Sequence, residues 1–199
     1  MATEKQLYST AYNPLLIRPD RPLPDEVAVI GAGTIGPDIG YYLKSAMPNC
    51  RLFLLDVVAE PLKRAEQRIV GYTQKAVDKK KMKPEKAAVV SQNIVYTTDY
   101  EQIKNCKLVI EAATEDIPLK QKIFDTVEKI VDQETIITSN TSSIPADRLF
   151  LNMNNPKRTT VTHFFAPAWR SLPVEVISWE GVSQSVLDYL FWFFANTGK

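Results

Sequence analysis

Apolar residues follow two rhythms along this chain. From Glu26 onward, short apolar runs without polar alternation are separated by longer stretches with apolar positions every three or four residues. The first kind reads as strands buried on both faces, the second as amphipathic helices. Strands are predicted at Glu26–Ile30 (EVAVI), 51–56 (RLFLLD), Ile94–Thr97, 108–110 and 135–138. Helices are predicted at 34–45, from 60 to about 80, and at 119–131. Leu62, Ala65, Ile69 and Tyr72 mark the buried stripe of the second helix; Ile123, Val127 and Ile130 mark that of the third. Such alternation implies right-handed βαβ units and a parallel sheet covered on both faces.

The pattern changes near the C-terminal end. Thr159–Phe164 and 174–178 are β-rich runs whose proline-containing connection leaves no room for a crossover helix, so they are expected to pair antiparallel. Ser183 reads as the N-cap of a last helix to about Asn196, with Gly198 as its stop. Residues 1–24 read as an arm, because Pro14, Pro19, Pro22 and Pro24 deny it a regular ladder or helix. The expected organisation is thus an arm over 1–24 and one α/β domain over 25–199.

Composition narrows the classes. Hydrophobic residues make up 45% and charged residues 24%, and the net charge is +1. These values suit an ordinary folded domain and give no electrostatic reason to expect nucleic acid or an anionic membrane as partner. No apolar run approaches the roughly 20 residues that span a bilayer, and the first ten residues lack the apolar core of a secretory signal. Cys50 and Cys106 are too few for a disulfide framework or a cysteine zinc site. One histidine, His163, excludes a histidine-rich metal site, so no metal is expected. A reducing, cytoplasmic location is the expectation.

The most specific local chemistry is Gly31-Ala32-Gly33-Thr34-Ile35-Gly36, a G-x-G-x-x-G turn between a buried strand and a helix. The first glycine permits the tight turn, the second lets pyrophosphate approach the backbone, and the third lets helix and strand pack closely. The helix N-terminus offers free N–H groups to phosphate. Asp56 closes the second strand, 20 residues after Gly36. A carboxylate there accepts hydrogen bonds from a ribose and repels the 2′-phosphate of NADP, so NAD is the expected cofactor.

Three further segments are distinctive. They are 110–116 (IEAATED), 139–143 (SNTSS) and 163–167 (HFFAP), with Glu175 following in LPVEV. With the glycine turn, their order and spacing resemble the NAD-binding domain of the L-3-hydroxyacyl-CoA dehydrogenases, over about residues 26–199. The resemblance implies a Rossmann-type doubly wound sheet and NAD-dependent oxidation of an L-3-hydroxyacyl-CoA to the 3-oxoacyl-CoA, as in fatty acid β-oxidation. It implies His163 as the catalytic base, Glu175 as its orienting partner, and Ser142 as the contact to substrate oxygen and nicotinamide. Glu115 and Lys120 match cofactor-side residues, and Asp56 matches the ribose acid. It also implies a helical second domain, absent from this chain, that closes over the acyl-CoA and carries the main dimer contacts. The chain is therefore expected to be an excised domain or the first part of a longer, homodimeric protein. One departure is Ala166, where the family usually has asparagine; an amide contact near the nicotinamide is missing.

The chemistry stands beside the resemblance. Alcohol oxidation requires loss of a proton from oxygen and a hydride from carbon. An imidazole, with an ordinary pKa of about 6.5, suits the proton transfer, and a carboxylate on its other nitrogen fixes the tautomer. His163 and Glu175 fall on the two end strands, where a hairpin would bring them together. Without the resemblance, the cluster that holds Ser142 reads as a local turn or cap. Glu111 and Glu115 end a strand and could be solvated loop acids; Lys120 could be a helix-surface lysine. Lys79, Lys80, Lys81, Lys83 and Lys86 read as a solvated helix end, or as a contact for coenzyme A phosphates. The run 189–194 (YLFWFF) is apolar all round, so one side is expected to cover the sheet and the other to stay exposed. Other readings are a dehydrogenase of a non-CoA hydroxy acid and a non-catalytic dinucleotide-binding protein.

Overall fold

The computed structural model describes residues 19–199. Most of the predicted arm lies outside the described residues. Seven strands form one sheet: β1 (Glu26–Ile30), β2 (Arg51–Leu55), β3 (Ile94–Thr97), β4 (Leu108–Glu111), β5 (Ile136–Ser139), β6 (Thr159–Phe164) and β7 (Val174–Ile177). Their order is β3-β2-β1-β4-β5-β6-β7. The first six run parallel, and β7 is antiparallel to β6. Chain order reverses between β1 and β4, and that switch point opens a crevice at the carboxyl ends of the central strands.

Alternate residues of each central strand feed two cores. Val27, Val29, Leu52, Leu54, Leu108 and Ile110 face α1 (Gly36–Ala46), α2 (Ala59–Asp78) and α6 (Gln184–Thr197). Ala28, Ile30, Phe53, Leu55, Val109 and Ile137 face α4 (Ile117–Ile130) and the short α5 (Ala146–Leu149). Burial on both faces explains the continuous apolar runs of these strands.

Several boundaries move. The first helix begins at Gly36 rather than at residue 34, because Thr34 and Ile35 belong to the glycine turn and Pro37 sits in the first helical turn. Its proline has no N–H to lose there. The short α3 (Pro84–Val90), the short α5 and 3-10 turns at Tyr100–Ile103 and Pro156–Arg158 carry too few periods to register as helices in the sequence. Ser183 is the N-cap of α6, although its side chain makes no capping hydrogen bond, and Gly198 ends the helix at φ 86°.

The expected exposed side of the last helix is largely closed. Tyr189, Leu190, Phe193 and Phe194 are buried, while Phe191 is 38% exposed. Residues ahead of β1 supply part of the cover: Tyr189 donates to the Pro22 carbonyl at 3.0 Å, and Arg21 stands over its ring. Lys79, Lys80 and Lys81 are exposed past the end of α2.

Candidate functional site

The glycine turn lies in the crevice and shows why two of its glycines are obligatory. Gly31 has φ +109°, and a Cβ there would stand 2.5 Å from the Ala112 carbonyl oxygen. A Cβ on Gly36 would stand 1.8 Å from the Gly31 oxygen. Gly33 differs: nothing lies within 4 Å of its missing Cβ, and it lines the cleft. Packing within the protein does not call for glycine at 33, whereas close approach of a ligand does.

A cavity of about 460 Å³ opens here, walled by Gly31, Gly33, Thr34, Ile35, Asp56 and residues of the β4–α4 segment. Asp56 follows β2 directly. Its carboxylate accepts from the Ala32 N–H at 2.8 Å and from the Val58 N–H at 3.1 Å, which fixes it beside the turn. Glycine turn, helix N-terminus and strand-end acid occupy one cleft, and the donor set suits a pyrophosphate and a ribose.

The floor of this cleft departs from the solvated alternatives raised by the sequence. Glu111 is 0% exposed and Lys120 is 1% exposed. Lys120 Nζ donates to Glu111 Oε1 at 2.7 Å and to the Ala113 carbonyl at 3.1 Å. The Ser139 hydroxyl donates to Glu111 Oε2 at 2.5 Å, and the Ala113 N–H donates to Oε1 at 2.6 Å. Burial pushes the Glu111 carboxyl above its ordinary range, against the pull of Lys120 and these donors. Glu111 is thus neither a solvated acid nor a loop residue, and Lys120 is not a surface lysine. Glu115 does stay accessible, with its side chain 44% exposed; it lies 3.5 Å from Lys120 and accepts from the Ser142 N–H at 3.2 Å.

A second depression, about 190 Å³, adjoins the crevice at the β6–β7 edge, lined by Ser142, His163 and Glu175 among others. His163 and Glu175 are register partners on the two strands. His163 Nδ1 meets Glu175 Oε2 at 2.8 Å. With Nδ1 engaged by a carboxylate, Nε2 is the nitrogen left for a reacting group. Phe165 packs on the imidazole, ring centres 4.7 Å apart. Ser142 lies in this depression rather than among the residues walling the larger cleft.

Asn140 ties the larger cleft to the strand that carries His163 and was not singled out by sequence reasoning. It lines the larger cleft, donates its N–H to the Glu111 carbonyl at 2.7 Å, and accepts from the Phe164 N–H at 2.9 Å. That last bond anchors the strand next to His163. Asparagine inside a Ser/Thr-rich segment was the available signal. Among the described residues no cluster of three or more His, Cys, Asp or Glu side chains is placed to hold a metal ion, and no helix is long and apolar enough to cross a membrane.

Sheet order, switch-point cleft and glycine turn define a Rossmann-type dinucleotide-binding domain. The chain belongs to the family described as 3-hydroxyacyl-CoA dehydrogenase, NAD binding domain, whose model matches residues 26–199. NAD is therefore the cofactor of this fold. The α subunit of the fatty acid oxidation complex of Colwellia psychrerythraea is 30% identical over 175 residues, covering 88% of this chain and 24% of that protein. The structure of 3-hydroxybutyryl-CoA dehydrogenase from Escherichia coli superposes with a TM-score of 0.84 at 32% identity, covering 87% of this chain and 36% of that one. The (S)-3-hydroxybutyryl-CoA dehydrogenase PaaH1 from Ralstonia eutropha gives 0.83 at 28% identity, covering 88% and 62%. The chain thus spans about a quarter to under two thirds of the length of these relatives.

Proposed function

We propose that this chain is the NAD-binding and catalytic domain of an enzyme that oxidises an L-3-hydroxyacyl-CoA to the 3-oxoacyl-CoA. The observation that carries the reading is the 2.8 Å His163–Glu175 pair, set with Ser142 beside the dinucleotide cleft. Relatives named as 3-hydroxybutyryl-CoA dehydrogenases and a fatty acid oxidation subunit support the substrate class.

In this reading Gly33, Thr34, Ile35 and Gly36 offer backbone N–H groups to the pyrophosphate, while Gly31, whose own N–H is held by the Leu55 carbonyl at 2.7 Å, makes the turn that presents them. Asp56 takes the adenosine ribose and disfavours NADP. Glu115 and Lys120 stand on the nicotinamide side, Lys120 held by Glu111 and so acting as a fixed wall. Bound NAD supplies the hydride acceptor. Nε2 of His163 takes the hydroxyl proton as the C–H hydride leaves, and Glu175 stabilises the resulting imidazolium through Nδ1. The Ser142 hydroxyl donates to the developing carbonyl oxygen.

The acyl-CoA is covered, on this account, by a helical second domain of the longer protein, which is a homodimer. Two free, buried cysteines fit a reducing cytoplasmic setting; burial pushes the Cys50 thiol up to about 12. Neither nucleic acid nor membrane is a partner. A second reading, oxidation of a non-CoA hydroxy acid, is favoured by one departure from the family pattern: Ala166 stands where the resemblance leads one to expect asparagine. Steady-state kinetics of the complete protein with 3-hydroxyacyl-CoA thioesters and free hydroxy acids separate the two. Turnover confined to thioesters supports the first reading. Turnover confined to free acids supports the second, and NAD binding without turnover of either contradicts both.

A further inference from the structure

The first turn of α1 holds a charge that dinucleotide binding alone does not explain. Asp38 stands two residues after the last glycine of the turn, and its side chain is only 3% exposed. A helix N-terminus favours a nearby anion, but here the same end must receive phosphate. A buried carboxylate at that position opposes the ligand unless it is neutralised.

Arg68, on α2, meets it with one of three bonded guanidinium nitrogens. Its Nη2 donates to Asp38 Oδ1 at 2.7 Å, and its Nε donates to the Tyr72 hydroxyl at 2.7 Å. That hydroxyl in turn donates to Asp38 Oδ1 at 2.9 Å. The remaining nitrogen, Nη1, donates to the Thr34 carbonyl at 2.7 Å. Thr34 belongs to the glycine turn and walls the cofactor cleft. Tyr72 is itself fixed, its ring 5.3 Å from Tyr41 and 5.2 Å from Trp169. A rigid planar guanidinium can satisfy three such directions at once, whereas a lysine ammonium on a flexible stem cannot hold the same geometry.

We infer that Arg68 is a positioning residue for the dinucleotide: it neutralises Asp38 and fixes the Thr34 carbonyl, so that the turn presents its N–H groups to the pyrophosphate. The inference rests on the reading of the cleft as the NAD site. A simple staple between α1 and α2 would support the fold without distinguishing ligands by their phosphates. Positioning of the turn does distinguish them.

The test compares dissociation constants for NAD, ADP-ribose and adenosine in wild type, Arg68→Met, Asp38→Asn and the double variant, using calorimetry and ligand-observed NMR. Arg68→Met is expected to weaken NAD and ADP-ribose by roughly 10- to 100-fold, the order set by losing charge-assisted bonds beside an uncompensated carboxylate. Adenosine, which has no phosphate, should change by less than about twofold. Adding Asp38→Asn should restore part of the loss, because the opposing charge goes with it while the Thr34 carbonyl stays unheld. Asp38→Asn alone should bind ADP-ribose at least as tightly as wild type, an expectation open to test even if Arg68→Met fails to fold. Equal losses for adenosine and ADP-ribose, no loss at all, a double variant as weak as Arg68→Met, or weaker ADP-ribose binding by Asp38→Asn would each overturn the inference while wild type binds NAD. A wild type that binds neither NAD nor ADP-ribose would overturn the cleft reading, and this inference with it.

Discussion

The two cavities of this domain are built in opposite ways. The dinucleotide cleft sits at the centre of the sheet, over a floor in which Glu111 and Lys120 are almost fully buried and bonded to each other and to neighbours. Two of its glycines are demanded by contacts within the protein itself. The depression that holds His163 lies at the sheet edge, and the Glu175 side chain is 54% exposed. The cleft is held by contacts within the domain. The His163–Glu175 pair is positioned by strand register, and its carboxylate is half exposed, where charge interactions are weak. Cofactor recognition therefore belongs to the core of the fold, and the proposed chemistry depends on whatever covers its edge.

Four changes would break or sharpen that contrast. His163→Gln in the complete protein should lower the oxidation rate by roughly 10²–10⁴, the usual worth of general acid–base catalysis. NAD affinity should change by less than about twofold, because the histidine lies outside the cleft walls. Nicotinamide absorbance and calorimetry read the two effects separately.

Lys120→Met attacks the other region. It leaves Glu111 buried without its cation, and loss of one partner of a buried pair costs about 3–5 kcal/mol. Denaturant unfolding should report that loss, and adding Glu111→Gln should return most of it. An exposed pair would show almost none of this effect, so a loss below about 1 kcal/mol would remove the distinction between the two cavities.

The legible parts of this protein are those fixed by local rules. Both central strands that flank the switch point were readable because each is a short apolar run buried on two faces. The glycine turn and Asp56 were readable because backbone geometry and ribose recognition act within one βαβ unit. The pairing of His163 with Glu175 followed from a hairpin register, which sets side-chain partners directly. Glu111 stayed open in the sequence for the opposite reason. It looks like any strand-end acid, and its burial is decided by α4, which folds Lys120 back over it, and by Ser139 on the next strand. The last helix was half legible: its apolar character was plain, but its cover comes from distant residues such as Pro22. Asn140 and Arg68 act across elements far apart in sequence, so no local pattern announces them.

Smaller effects follow. Asp56→Ala should narrow the preference for NAD over NADP, by roughly tenfold if one repulsive contact with the 2′-phosphate is removed; paired titrations with the two cofactors measure it. An unchanged ratio would take the ribose role from Asp56. The smallest change expected is at Glu128 on α4, which lines neither cavity. Burial works against its charge, but hydrogen bonds from Asn154 and Asn155, with Arg158 nearby, hold its carboxyl below the ordinary range. A depressed carboxyl contributes stability above its unfolded pKa of about 4.3, and that stability is lost as pH falls through the folded value. Glu128→Gln should therefore lower Tm by roughly 3–6 °C at pH 7. The difference from wild type should shrink below about pH 4. A gap independent of pH would mean that packing, not charge, is what Glu128 contributes.

The central claim is that His163 and Glu175 act as one proton-transfer unit beside a cofactor site that does not need them. A double-mutant cycle in the complete protein tests it most directly, with Glu175→Gln made in wild type and in His163→Gln and NAD binding followed in parallel. The account predicts that Glu175→Gln slows oxidation in wild type, adds little once His163 is gone, and leaves NAD affinity unchanged in all variants. Losses that multiply in the double variant, or near-normal turnover by His163→Gln, would contradict it.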